Sequence, residues 1–282
     1  MTILYDLPAH EYHAMDGLGS TSIKTLADPE ISLHEARYLL DHNEHKVEYD
    51  VGTLAHALIL EGSLDDLVVR VHADSWRTKA AKEARDEAYA AGLIPVNDAE
   101  VSSILDPVER MRDAVMSDPI AAPLLTGHLP EVSILWERDD VKLKARIDAW
   151  HPNTGTAVDL KTVRSARPND VRKQISDLGY YQQARHYISG LELETGRKYG
   201  DDLSWYFVTV QKTEPYTVSV HILSDMALAD AQLRIDYALE RYKEAVTSGW
   251  RGYERVFEQE LTTWEAMKNE ELDDVEIEVR AA

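Results

Sequence analysis

Hydrophobic positions change their period along the chain. Up to about residue 116 they recur mostly at helical spacing, and between residues 131 and 163 they alternate. Ser20-Thr21-Ser22 predicts a helix start whose hydroxyls cap free backbone N–H groups. The Gly-bounded run GTLAHALILEG predicts a helix over 52–62, and residues 67–72 read as a short strand. Two further helices are predicted over 77–91 and 98–116. In the middle, Val132, Ile134 and Trp136 share one side of a strand over 131–140. Over 141–150, Val141, Leu143, Ala145, Ile147 and Ala149 form one face, and Lys142, Lys144, Arg146 and Asp148 the other. HPNTG at 151–155 is a turn, and TAVDLKTV at 156–163 is a third strand. A helix over 169–189, strands over 205–212 and 216–223, and a long helix over 225–248 complete the pattern. This order predicts one α/β (α+β) domain over 1–250, followed by a segment, 251–282, to which no chemistry is assigned.

The alternation places charges in an unusual relation. Asp159 and Lys161 point to the same side of their strand, and Asp148 ends the strand before it. Strands joined by so short a turn pair as a hairpin. Any register with Asp148 and Asp159 on one face sets them opposite or diagonal, which is unfavourable for like charges. A divalent cation between them resolves the conflict, and Mg²⁺ prefers carboxylate oxygen. Such a metal with a neighbouring lysine suits phosphodiester hydrolysis: the lysine can orient the attacking water, help deprotonate it, or stabilise developing charge. An ordinary solvent-facing hairpin with a salt bridge is the alternative.

Composition narrows the setting. With 282 residues, 44% of them hydrophobic, the chain can bury a substantial core. The absence of cysteine excludes disulfides, thiol nucleophiles and cysteine-held zinc or iron–sulfur clusters. No apolar run spans a bilayer and the N-terminus lacks a signal-peptide pattern, so a soluble, cytoplasmic protein with no membrane partner is expected. The net charge of −21 argues against non-specific coating of nucleic acid, though not against a local basic groove. A good share of the acid, 9 of 51 residues, lies in residues 258–278, where solubility is its ordinary role.

Other residues carry weaker signals. His56 sits in an apolar helix, as a packed histidine or as a neutral imidazole ligand. Glu131 begins a strand after Pro130. Tyr180, Gln183 and Tyr187 fall on one helix face, for packing or for holding a phosphate or water.

In order, these residues resemble the PD-(D/E)xK nuclease superfamily, and within it the RecB-type and RecE-type (exonuclease VIII-like) branch. The motifs are Gly52-Thr-Leu-Ala-His56, Glu131, Ala145-Arg-Ile-Asp148, Asp159-Leu-Lys161 and Gln183-Ala-Arg-His-Tyr187, with the stretches at 11–26 and around 208–220 also similar. The resemblance implies a central mixed sheet flanked by helices, as in restriction endonucleases. It implies a Mg²⁺ centre, with Mn²⁺ able to substitute, held by Asp148, Asp159, the Leu160 carbonyl and His56. Lys161 would serve the water, with Gln183 and Tyr187 supporting the site. Phage recombination exonucleases of this type are ring-shaped oligomers. They degrade linear double-stranded DNA from the 5′ end and leave 3′ single strands for a single-strand annealing protein of the RecT type.

Such a substrate needs local positive charge. Lys142, Lys144 and Arg146, then Arg164, Arg167, Arg172 and Lys173, and the run Arg77, Lys79, Lys82 and Arg85 are the candidates for phosphate contact. Trp76 is a candidate wedge at a DNA end, with packing as its alternative. Two other readings stand beside an exonuclease: an endonuclease of restriction or repair type, and a DNA-binding module without catalysis.

Overall fold

A computed structural model describes residues 2–42, 51–265 and 267. Its first half runs β1 (Thr2–Leu4), α1 (Ala9–Ala14), α2 (Ser20–Ala27), α3 (Leu33–Asp41), α4 (Val51–His56), β2 (Val68–Val71), α5 (Lys79–Ala90), β3 (Ile94–Asn97), α6 (Val101–Ser117) and α7 (Ala121–Leu125). Then follow β4 (Leu129–Arg138), β5 (Val141–His151), β6 (Thr156–Val163), α8 (Pro168–Asp177), α9 (Tyr180–Thr195), β7 (Ser204–Gln211), β8 (Val218–His221) and α10 (Asp225–Ser248). Among the described residues no helix is long and apolar enough to cross a membrane. The acidic stretch at 258–278 lies largely outside the described residues.

The main sheet has six strands in the order β1-β4-β5-β6-β7-β8. The β6–β7 pair is parallel and its neighbours are antiparallel, so the sheet is mixed, as expected. One face packs on α2, α9 and α10: Val141, Leu143, Ala145 and Ile147 meet Ile23, Leu26, Ile188, Leu191, Ile235 and Leu239. The other face packs on α4, α6 and α7: Val158, Leu160, Val208 and Val210 meet Leu54, Met111, Val115 and Leu125. Burying each such aliphatic side chain stabilises the fold by about 1.5–3 kcal/mol relative to exposure. Gly190 of α9 lets the helix lie against Trp136 of β4; a Cβ there would sit 2.9 Å from the indole.

Several elements differ from the sequence reading. The helix at Ser20 begins with Gly19 as its N-cap and no side-chain cap, so the hydroxyls do not cap it. The run expected as one helix over 169–189 is broken at Leu178 and Gly179, because Gly179 adopts φ +69, which ends a helix. The helix over 52–62 is not regular either: after His56 it becomes a π-helix over Ala57–Glu61, closed by an N–H of Gly62 bonded to the Ala57 carbonyl at 3.1 Å. β3, paired in parallel with β2, was not anticipated.

The most consequential difference lies in β5. Ala149, expected on the face of Ile147, packs instead with the opposite cluster, and Trp150 takes its place on the first. The alternation slips by one residue at Asp148. Its neighbour on β4, Glu131, has φ +53, a left-handed conformation that a non-glycine residue seldom adopts. The β4–β5 ladder runs through Pro130↔Ala149 and Val132↔Ile147 but skips Glu131 and Asp148 between them. The β5–β6 hairpin pairs only from His151↔Thr156 to Ala149↔Val158, then parts.

Gly155 fixes that hairpin. Its φ is +71, and a Cβ would lie 2.0 Å from the Asp202 carbonyl oxygen. Its own carbonyl accepts from Ser204 N–H at 2.8 Å, which ties the turn to β7. Gly155→Ala is expected to destabilise the protein by about 2–5 kcal/mol, combining a left-handed penalty of about 1–2 with overpacking of about 1–3. Urea unfolding checks this; an unchanged midpoint would mean that the turn rebuilds freely.

Candidate metal centre

The site lies where β5 and β6 part. The flanking pairs set Glu131 opposite Asp148, and extending the β5–β6 register by one step sets Asp148 opposite Asp159. Three acids thus form a row across β4, β5 and β6, and each meets a different counter-group. Asp148 Oδ2 accepts from the Leu160 N–H at 2.8 Å. Glu131 Oε2 accepts from Arg146 Nε at 2.5 Å. Asp159 Oδ2 lies 2.7 Å from Lys161 Nζ. That last contact is ionic but not a well-directed hydrogen bond, because both Asp159 oxygens are buried without a hydrogen-bond partner among the described residues.

Helices on the two faces reach the gap from opposite sides. From α4, His56 Nδ1 comes to 3.8 Å from Asp148 Oδ2. From α9, Gln183 Oε1 accepts from Lys161 Nζ at 3.3 Å, and the Tyr180 ring lies 4.6 Å from the same ammonium. Tyr187 is buried on α9, with its hydroxyl 3.5 Å from Ser20 Oγ. The break at Gly179 starts α9 at Tyr180, and this brings that ring onto Lys161.

The electrostatics follow from burial. Burial first, then the neighbouring Asp159, push the Asp148 carboxyl well above the usual carboxylate range, with Lys161 opposing. Burial also raises Asp159 against the pull of Lys161. Burial opposes charge on Lys161, but Asp159 and Asp148 more than offset it and raise its pKa. His56 is lowered to about 4, chiefly by burial and then by Lys161. The lowered value favours the neutral imidazole, the form that ligates metals.

Ligand atoms of His56, Glu131 and Asp148 all lie within 4.8 Å of one another. Ligands around an octahedral Mg²⁺ stand about 3 to 4 Å apart, from bonds of about 2.1 Å. A small contraction would therefore close this trio on a divalent cation. Asp159 beside it has the Lys161 ammonium as its counter-charge but no well-directed hydrogen bond on either oxygen, so it keeps lone pairs for a cation as well. The residues present thus suit a hard cation. The expected set included Asp159 and the Leu160 carbonyl and left Glu131 in support. The geometry instead clusters Glu131 with His56 and Asp148, and Asp159 is drawn to the ammonium of Lys161. The Leu160 N–H faces β5, and in an extended strand the carbonyl of the same residue faces the same way.

The site opens into a cavity of about 950 Å³ whose lining includes His56, Glu131, Arg146 and Lys161, together with Arg164, Lys173 and Lys212. The other expected basic residues are placed differently. Arg167 lines an adjoining recess with Arg164, and Arg172 lines a separate groove with Tyr181 and His221. Lys142 pairs with Asp16, and Lys144 bonds the carbonyls of Tyr12, His13 and Met15. Lys79 and Arg85 pair with Glu83 and Asp86 on α5, and the Trp76 indole donates to Glu100 at 2.7 Å. Two features carried no clear sequence signal: the π turn after His56, and the left-handed Glu131.

The fold is similar to the crystal structure of a protein from Eubacterium rectale named "Putative exonuclease", with a TM-score of 0.59 and 14% identity, covering 93% of this chain and 98% of that one. A second solved structure, SSO0001, has a TM-score of 0.30 and 16% identity over 68% of this chain and 85% of that one. No curated protein matches the chain. Residues 19–251 match the family described as PDDEXK-like domain of unknown function (DUF3799), and the chain belongs to that family.

Proposed function

We propose that this protein is a metal-dependent deoxyribonuclease that degrades linear double-stranded DNA, acting from the 5′ end. The observation that carries the reading is the meeting of His56, Glu131 and Asp148 within 4.8 Å, beside the Asp159–Lys161 pair. Membership of a PDDEXK-like family supports it, as does the name of the Eubacterium rectale protein. His56, Glu131 and Asp148 hold the cation, with Asp159 and the Leu160 carbonyl available to it. The cation, Mg²⁺ or Mn²⁺, supplies polarisation of the phosphate and a water of lowered pKa. Lys161 presents a fixed ammonium to charge developing on the phosphate, aimed by Gln183 and the Tyr180 ring. Tyr187 steadies α9 behind Gln183. Arg164, Lys173 and Lys212, which line the same cavity, provide local positive charge on a chain of net charge −21. In this reading the 3′ strands pass to a single-strand annealing protein of the RecT type, and the protein works as a ring.

End-labelled linear DNA is expected to be digested with Mg²⁺ and spared with a chelator, while covalently closed circles survive. Equal cutting of circles would replace this reading with an endonuclease. Asp148→Asn keeps an oxygen for the Leu160 N–H, so unfolding without metal should start no lower than in wild type. Its turnover should fall by more than about a hundredfold; near wild-type digestion would remove Asp148 from the site. Lys161→Ala should lose about a hundredfold or more in turnover with Mn²⁺ binding retained, as measured by calorimetry. Lost metal affinity in that variant would contradict the role given to Lys161.

A further inference from the structure

We propose that the N-terminal arm, residues 2–15, is part of the metal centre, and that Arg146 is the positioning residue that joins the two. The inference rests on the metal-centre reading above, and concerns a segment that lies outside the family match, which begins at residue 19.

Arg146 is largely buried, and its guanidinium has three partners. Nε donates to Glu131 Oε2 at 2.5 Å, Nη1 donates to the Leu7 carbonyl at 2.7 Å, and the group lies 5.7 Å from the centre of the Tyr12 ring. Two of these partners belong to the arm. The arm is itself fastened at both ends. Thr2–Leu4 pair with Ser133, Ile134 and Leu135, beginning two residues beyond Glu131 on the same strand. Lys144 Nζ reaches the carbonyls of Tyr12, His13 and Met15 at 3.1, 3.3 and 2.5 Å, around the C-terminal end of α1. Tyr12 is buried beneath both cations, and Ala9 lines the catalytic cavity.

A guanidinium is a rigid fork, so fixing one prong directs the other. The Leu7 carbonyl and the Tyr12 ring therefore set the direction from which Arg146 meets Glu131. They hold its carboxylate beside His56 and Asp148. Without the arm, Arg146 would keep Glu131 as its single partner and could draw it from the cluster. Arm docking and metal binding are then linked, and linkage is reciprocal: each strengthens the other.

The test uses the full chain stripped of metal. Mn²⁺ affinity is measured by calorimetry for wild type, Arg146→Lys and Tyr12→Leu. Lysine keeps the charge but replaces the two fixed prongs with one compact ammonium, and leucine keeps bulk while removing the aromatic face. Kd is expected to rise about tenfold or more in Arg146→Lys and by a smaller factor in Tyr12→Leu. Mn²⁺ should also slow proteolytic removal of the arm in wild type, and do so less in Arg146→Lys. A merely structural role would lower the unfolding midpoint and leave Kd unchanged. Unchanged Kd in both variants, or arm cleavage indifferent to Mn²⁺, overturns this inference alone. Failure of the wild type to bind Mn²⁺ overturns it together with the proposed function.

Discussion

Three carboxylates held in one row across adjacent strands are the constraint around which the molecule is arranged. Like charges facing one another weaken a sheet, and burial adds the loss of hydration. The fold meets this by ending the β5–β6 ladder one residue short of the acids. The parted strands leave a gap that helices on both faces can enter. Each acid then has its own counter-group: a backbone N–H for Asp148, a guanidinium for Glu131 and an ammonium for Asp159. None of the three satisfies its acid fully. A site that is nearly but not wholly neutralised is suited to receive one more positive charge.

The same arrangement explains why the rest of the structure is irregular at this point. Glu131 is left-handed within a strand, β5 changes its inward phase at Asp148, and α4 loosens into a π turn directly after His56. A left-handed non-glycine residue such as Glu131 costs of order 1–3 kcal/mol and persists only where packing enforces it. Here the packing comes from Leu58, Ile59 and Leu60 on one side and the α9 core on the other. The surrounding order therefore supports local disorder of geometry at the site.

Much of this was legible in the sequence. Strict alternation gave β5 and β6 their bounds within a residue or so, and the same-side relation of Asp159 and Lys161 followed from a period of two. The row of acids was foreseeable as far as Asp148 and Asp159, because a five-residue turn leaves few registers. Glu131 was not placed among the ligands, since a left-handed conformation in a non-glycine strand residue has no local signature. The slip at Asp148 was hidden for the same reason. The break at Gly179 was signalled by glycine, but the apolar period continues across it and masked the signal. β3, a four-residue strand containing Pro95, has too little sequence to declare itself. The N-terminal arm is too short and irregular to show a period, and its attachment depends on Arg146 and Lys144, which the sequence offered as contacts for DNA.

The π turn has a consequence for how this helix tolerates change. An i to i+5 closure inserts one residue into a turn, so the segment before it and the segment after it no longer share one rotational frame. The imidazole upstream meets Asp148 on the sheet, while the aliphatic residues downstream join the cluster that includes those of α6. His128 takes up the Leu60 carbonyl at 3.0 Å and so anchors the downstream half separately. Remodelling of the hydrophobic half over evolutionary time could then proceed without swinging the ligand out of line, as a universal joint lets one shaft bend while the other keeps its bearing.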